Sequence, residues 1–350
     1  MEMDWSQLMK LLRAMVLVAA VGVLGGVAYF AQEQAPLGAR MADAADSLLA
    51  SLSDEQRAKI SFDFDDKERV NYAFVPLQDK DKKPTRKGLR MEEMTDGQKK
   101  AVLELLKTGT SDKGFEQAVT IMSLETILHD LEKGGAMVRT PGWYFVTIFG
   151  KPAKTGKWGW RIEGHHLSLN FTIADGQVQS ATPAFFGANP AEVKAGERKG
   201  TRILKDVEDL ARELYASLDE EQKKAALQSK HFGEPTQHVA AEKVGEPVGL
   251  SVSKMNEKQK GLLESLLKAY IARMPAPVAA AQWKMVQESG LDKVHFAYTG
   301  GVKDGEPHTY RVQGPNFIVQ FLNVQDDSAK NPANHIHSAW RELPSDFGLR

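Results

Sequence analysis

The sequence predicts an α+β protein made of two related halves, and three observations carry that reading. "GLRMEEMTDGQKKAVLELLK" from Gly88 aligns without a gap with "GLSVSKMNEKQKGLLESLLK" from Gly249, so Met94 falls on Met255 and Gln98 on Gln259. Upstream, "ASLSDEQRA" around Gln56 recurs as "ASLDEEQKK" around Gln222, and downstream "WGWRIEGHHLSLNF" from Trp158 aligns with "HTYRVQGPNFIVQF" from His308. A unit of this length is a small domain rather than a solenoid element, which places the halves near residues 41–200 and 201–350, packed as one globular unit. Within each half, helical periodicity comes first and runs of strand character follow. Strands that are neighbours in sequence form mainly antiparallel sheets.

The elements follow in order. Residues 1–40 stand outside the fold. From Ala14 to Ala31 the chain carries no charge, and Lys10 and Arg13 lie just before it. That layout is a signal peptide or an N-terminal anchor, so the chain is expected to be exported, periplasmic or extracellular, or held at the membrane by residues 14–31. Asp54-Glu55-Gln56 and Asp219-Glu220-Glu221 put carboxylates in first helical turns, where they oppose the positive helix end. Leu103, Leu105 and Leu106, like Leu262, Leu263, Leu266 and Leu267, form apolar stripes at helical spacing and belong to the core. A third helix is expected from Lys113 to Lys133, with a counterpart from Pro277 to Glu288.

Strands come next: "WYFVTIFG" and "KVHFAYTGG", then the longer segments around His165 and Asn316. Before Gly164 the bulky apolar residues Trp158, Trp160 and Ile162 are even-numbered; after it Leu167, Leu169 and Phe171 are odd. Read as one strand, this shift requires a bulge at the glycine, with Arg161, Glu163, His166, Ser168 and Asn170 on the opposite face and His165 at the bulge.

Composition bounds the function. The chain has 350 residues, 42% of them hydrophobic, and its 45 basic and 46 acidic side chains leave a formal charge of −1, which supplies no general attraction to nucleic acid. A membrane is expected only through the N-terminal segment, if it is not cleaved. Zero cysteines exclude disulfides, thiolate metal sites and a cysteine nucleophile, and suit an exported protein. G-x-S-x-G, H-E-x-x-H, glycine-rich phosphate loops and dinucleotide fingerprints are all missing, against the commonest hydrolase, kinase and Rossmann chemistries. "GERKGTR" from Gly196 reads as a solvated helix start, and "QDDSAKN" as a loop without the glycine and glutamate of a calcium hand.

The histidines are the candidate site. In "NPANHIHSAWRE" His335 and His337 share a face if the segment is extended, as one strand offers two imidazoles to one metal. His165 or His166 is the expected third ligand. Asn334 is a candidate for orienting a ligand ring, and Glu163 for a general base or a partner behind the ligands. Pro315 and Asn316 replace the histidine pair in the second half, so the pairs are complementary, as a single site between halves would require. Arg161 and Arg341 are candidates for binding a substrate carboxylate, with pairing to Glu163 the alternative for Arg161. The cofactor expected is a divalent transition metal, zinc or copper. The ligand is an unknown small molecule, and the activity a metal-dependent hydrolase or oxidoreductase. The other reading is a non-catalytic module that binds a ligand or metal.

"WGWRIEGHHLSLNFT", "TPAFFGANPAEV", "GPNFIVQFLNVQ" and "NHIHSAWRELPSDFG" resemble the domain-of-unknown-function 3500 family from about Met41 onward. The resemblance implies no established reaction, but it carries the GHH and NHIH signatures onto His165, His166, His335 and His337. This chain departs from the family pattern at Gln320, where an acidic residue is usual, and in ending at Arg350 without a further histidine-bearing tail.

Overall fold

The structure, a computed structural model, describes residues 36–239, 243–343 and 345–349. The segment 14–31, expected to carry the export signal or anchor, lies outside the described residues. No described helix is long and apolar enough to cross a membrane.

Residues 37–188 supply α1 (Leu37–Ala50), α2 (Asp54–Ile60), β1 (Ser61–Phe62), β2 (Leu89–Arg90), α3 (Asp96–Gly109), α4 (Asp112–Leu131), β3 (Phe145–Phe149), β4 (Lys157–Gly164), β5 (Leu167–Ala174), β6 (Gln177–Ser180) and β7 (Ala184–Ala188). Residues 205–342 supply α5 (Lys205–Ala216), α6 (Glu220–Ala226), β8 (Leu250–Ser251), α7 (Glu257–Ile271), α8 (Ala276–Glu288), β9 (His295–Gly300), β10 (His308–Gln313), β11 (Phe317–Gln325) and β12 (His335–Glu342). The class is α+β, with eight described helices on one mostly antiparallel sheet of twelve strands.

Helix starts follow from local chemistry. Ser53, Thr95, Asp219 and Asn256 each accept from the backbone N–H three residues on, and Gln56, Gln98, Gln222 and Gln259 reach back to the cap N–H. The same glutamines then pair across helices. Gln56 and Gln98 exchange amide hydrogen bonds of 3.1 and 2.9 Å, and Gln222 and Gln259 do so at 3.0 and 2.8 Å.

The sheet runs in the order β1-β3-β4-β5-β7-β12-β11-β10-β9-β8, with β2 on β3 and β6 on β5. Its centre is the antiparallel pair β7–β12, where strands from the two parts of the chain meet. One face, carrying Trp158, Trp160, Leu169, Phe186, Tyr310, Phe321 and Trp340, packs on the helices and forms the main core. Here the parity shift finds its explanation, and the bulge expected at Gly164 is corrected. Gly164 pairs with Leu167, Ile162 with Leu169 and Trp160 with Phe171, so β4 and β5 form a hairpin with His165-His166 as its two-residue loop. Directly opposed residues share a face, and pairing even positions with odd ones switches parity without a bulge. β10 and β11 do the same, with Val312 opposite Val319 and Tyr310 opposite Phe321.

The other face is polar, yet it is buried. The chain around residues 64–77, the loop at 232–239 and the C-terminal turn cover it, and Tyr72, Phe74, Phe185, Ala339 and Phe347 form a second, smaller apolar cluster there. Tyr72 Oη donates to Thr236 O at 2.6 Å and the Phe74 N–H to Gln237 Oε1 at 2.9 Å, which joins the two covering segments over the sheet.

Candidate metal centre

The register brings the two histidine pairs together on this covered face. His337 lies opposite Gly187 of β7, and the Gly187 N–H donates to His166 O at 2.7 Å. The His166 N–H donates to Phe74 O at 2.9 Å, so the hairpin tip is tied to the central sheet on one side and the covering segment on the other. His166 holds a left-handed backbone, φ 63°, which histidine tolerates better than most residues. A Cβ at Gly187 would stand 2.9 Å from His166 Cδ2 and 2.8 Å from Ile336 O, so only glycine leaves room for this ring. At Gly164 a Cβ would strike the Tyr144 ring at 2.5 Å, and Tyr144 Oη donates to His165 O at 2.7 Å.

His166 Nε2 lies 2.8 Å from His335 Nε2 and 3.1 Å from His337 Nε2, and the His335 and His337 rings meet edge to face, 4.8 Å apart. Ligand nitrogens around tetrahedral zinc, at bonds of about 2.0–2.1 Å, stand about 3.3 Å from one another. Ligand atoms of His165, His166 and His335 all lie within 4.8 Å of each other, a three-histidine group that can bind a metal.

Proton bookkeeping sharpens the point. His337 Nδ1 is 2.6 Å from Glu234 Oε2 and so carries the proton, which leaves its Nε2 bare, while His335 Nδ1 is 3.5 Å from Asn189 Nδ2. His166 Nε2 lies against two other Nε2 atoms and can hold at most one proton between them, so it can match only one neighbour. One contact is left unmatched, and a cation among the three nitrogens removes the conflict. Protonating His166 or His335 instead is opposed by the site. Burial, with the charges of its neighbours, lowers His166 well below the ordinary value and His335 to about 2. His165 is lowered too, by burial first and against the pull of Glu125.

His165 differs from the other three. Its Nδ1 meets Glu125 Oε1 at 2.5 Å, a carboxylate 5% exposed, and its ring stacks at 3.7 Å on His166. Arg139 Nη1 approaches the same ring, 3.1 Å from Nδ1 and 3.4 Å from Nε2. Glu125 and His165 line a small cavity together with Pro76, Leu77, Val138, Trp143 and Phe145.

The lowered histidines set a pH dependence. In the metal-free protein the unfolded chain takes up protons as pH falls through about 6.5 while the folded His166 and His335 do not, so stability is present above that pH and is lost below it. Urea midpoints measured in chelator are expected to fall between pH 7 and pH 5, and His335→Gln to flatten the slope; a midpoint constant over that range would contradict the burial of neutral rings.

Glu163 stands in a different environment from the base expected of it. Arg86 reaches Oε1 at 3.0 Å, and Oε2 is shared by Arg161 Nε at 3.4 Å, the Ala73 N–H at 3.0 Å and Ser168 Oγ at 3.3 Å. Burial alone would raise its pKa, but Arg161 and Arg86 outweigh it and hold the carboxyl below the usual range. Both oxygens are thus occupied in fixing the covering segment at Ala73. Arg161 is fully buried and donates to Glu68 Oε1 at 2.7 Å and to Glu68 O at 3.0 Å, with its Nε 3.4 Å from Glu163 Oε2. Arg341, also fully buried, donates to Asp346 Oδ2 at 2.6 Å and to Thr236 O at 3.1 Å. Asn334 holds the Glu192 backbone at 2.7 and 2.9 Å and Asp327 at 2.7 Å, which shapes the approach to β12.

Four residues of the site, Glu125, Arg139, Glu234 and Gly187, were not among the expected ones. Glu125 had a signal, being a carboxylate in the core-facing row Ile121, Leu124, Leu128 of a helix. Glu234 sits in a loop without periodicity, and Gly187 is one of 29 glycines, so neither was legible. Glu234 behind His337 is the partner that fixes tautomer and ring direction. Glu234→Ala is expected to weaken metal affinity roughly 10- to 100-fold with the fold retained, measured by competition with a chromophoric chelator.

Fold and site together define a class, an α+β protein with a single mixed sheet and a buried histidine cluster at its centre able to hold a metal ion. The chain belongs to the family described as "Protein of unknown function (DUF3500)", whose model matches residues 34–349. No curated protein and no solved structure matched the chain.

Proposed function

We propose that this protein is an exported metalloenzyme whose single centre is built by His166, His335 and His337. The observation that carries this reading is the convergence of three Nε2 atoms, at 2.8 and 3.1 Å from His166, with that of His337 made bare by the Glu234 hydrogen bond at its other ring nitrogen. Imidazole donors suit zinc or copper, the first supplying Lewis acidity for a hydrolase and the second electron transfer for an oxidoreductase. His165 is the fourth ligand or the group beside an open position. The Glu125 carboxylate at its Nδ1 favours the second role, with a small molecule as substrate. The burial of His166 and His337, 3% and 7% exposed, favours a metal-binding module without turnover as the other reading.

Two further features belong to this proposal. Export through residues 14–31 rests on the uncharged run behind Lys10 and Arg13. Origin by duplication is supported by the twin glutamine clasps and by a common order, helix pair, short strand, helix pair, then hairpin strands, in both parts of the chain. The test of the centre is elemental analysis by mass spectrometry of tag-free protein. About one equivalent of zinc or copper per chain is expected, and a protein that takes up neither at micromolar concentration overturns the proposal.

A further inference from the structure

The environment of Arg139 says what kind of ligand such a centre receives. This arginine is nearly buried, its side chain 11% exposed, and Glu132 grips one edge of the guanidinium, accepting from Nε at 2.8 Å and Nη2 at 3.3 Å. Ser328, on the loop leading to β12, donates to the same glutamate and pins it. The fork is therefore fixed, and Nη1 is aimed at the histidines. Among the described residues Nη1 meets only His165, whose Nδ1 is already taken by Glu125 and whose Nε2 is 3.4 Å away. A charged donor in a buried place is left with one long, weak acceptor.

Its charge stands beside the cluster, since Nη1 is 3.1 Å from the His165 ring and that ring lies 3.7 Å from His166. That charge opposes a metal cation. Imidazole ligands bring no charge to offset a dication, and the nearby carboxylates stand on the outer side of other groups, Glu132 on the far edge of Arg139, Glu125 at His165 Nδ1 and Glu234 at His337 Nδ1. A dication and a guanidinium in one poorly solvated cluster repel, and the repulsion is relieved when an anion lies between them. A planar guanidinium suits carboxylates and related oxyanions in particular.

We infer that the centre binds a small oxyanion, a carboxylate in the first instance, with one end on the metal and the other on Arg139 Nη1. This rests on the metal reading above and adds the class of ligand to it. Arg139 then selects charge, so a neutral molecule of the same shape is refused.

The full-length protein is loaded with cobalt(II), its metal content is measured, and acetate and acetamide are titrated while the visible cobalt bands are followed. Acetate is expected to give a saturable spectral change and acetamide none. Arg139→Gln is expected to keep its metal and lose roughly tenfold or more in acetate affinity, the value of a charge-assisted hydrogen bond. A protein that takes up no metal overturns both the centre and this inference. A protein that takes up metal but binds acetate and acetamide equally, or acetate equally in wild type and Arg139→Gln, overturns this inference alone. If the variant does not fold, the comparison of acetate with acetamide on the wild type still decides it.

Discussion

His335→Ala is expected to abolish metal binding while leaving the metal-free fold within about 1 kcal/mol of wild type. The two effects separate a ligand from a structural residue. A metal that binds only the native state at a hundred times its dissociation constant adds about 2.7 kcal/mol of stability, which the variant forfeits. In chelator that contribution vanishes for both proteins. What remains for His335 is a desolvated imidazole whose Nε2 faces His166 at 2.8 Å, an arrangement that favours the metal-free fold little. Were the histidines held for structure, removing one would strand buried polar partners and cost the metal-free fold about 2–4 kcal/mol. Chemical denaturation with and without chelator, set beside elemental analysis, reads both quantities. A large loss in chelator with unchanged metal content would count against the centre.

Glu163→Gln is expected to destabilise the protein by about 3–5 kcal/mol while the metal content per folded chain stays the same. The carboxylate neutralises Arg86 at 3.0 Å and shares Arg161 with Glu68, all in a layer where Glu163 is 1% exposed. A neutral amide keeps the shape but leaves Arg86 without its ion-pair partner. Because the folded carboxyl is depressed, its contribution is present above the unfolded pKa and is lost as pH falls through the lower folded value, so the wild type and the variant converge in acid. Urea midpoints at pH 7 and pH 4 measure this. A general base would behave in the opposite way, with a normal midpoint and lost turnover.

The contrast between these two residues shows where sequence reasoning reached. The GHH and NHIH pairs stood out because imidazoles at strand spacing are few and chemically distinctive. Their complementary placement pointed to one site, and the register of β7 on β12 brings His166, His335 and His337 together there. Glu163 carried the same chemical promise, but its role depended on two arginines and on a segment about ninety residues away in the chain, none of which strand periodicity reveals. The polar face itself was legible from the alternation of Arg161, Glu163, Ser168 and Asn170. Its burial was not, since the cover comes from irregular chain around Phe74 and Thr236 that has no periodic signature.

The hairpin at His165-His166 failed to announce itself for a local reason. Two-residue loops are recognised by glycine, asparagine or aspartate, and histidine in a left-handed backbone carries no such mark. Yet the parity switch contained the answer, since opposed positions in this hairpin are even with odd.

By itself the sequence determined what is local. Capping glutamines, helical stripes, strand runs and the order in which they come are set by neighbouring residues and the periods of 3.6 and 2, and they are enough to fix the α+β class. The tertiary structure decided everything that depends on distant pairs meeting: which face was covered, that Glu125 and Glu234 stand behind the histidines, that Gly187 makes room for a ring, and that Arg139 turns Nη1 toward them. Those contacts arise from the closing of one sheet across β7 and β12, a long-range event for which no stretch of the chain holds the information alone.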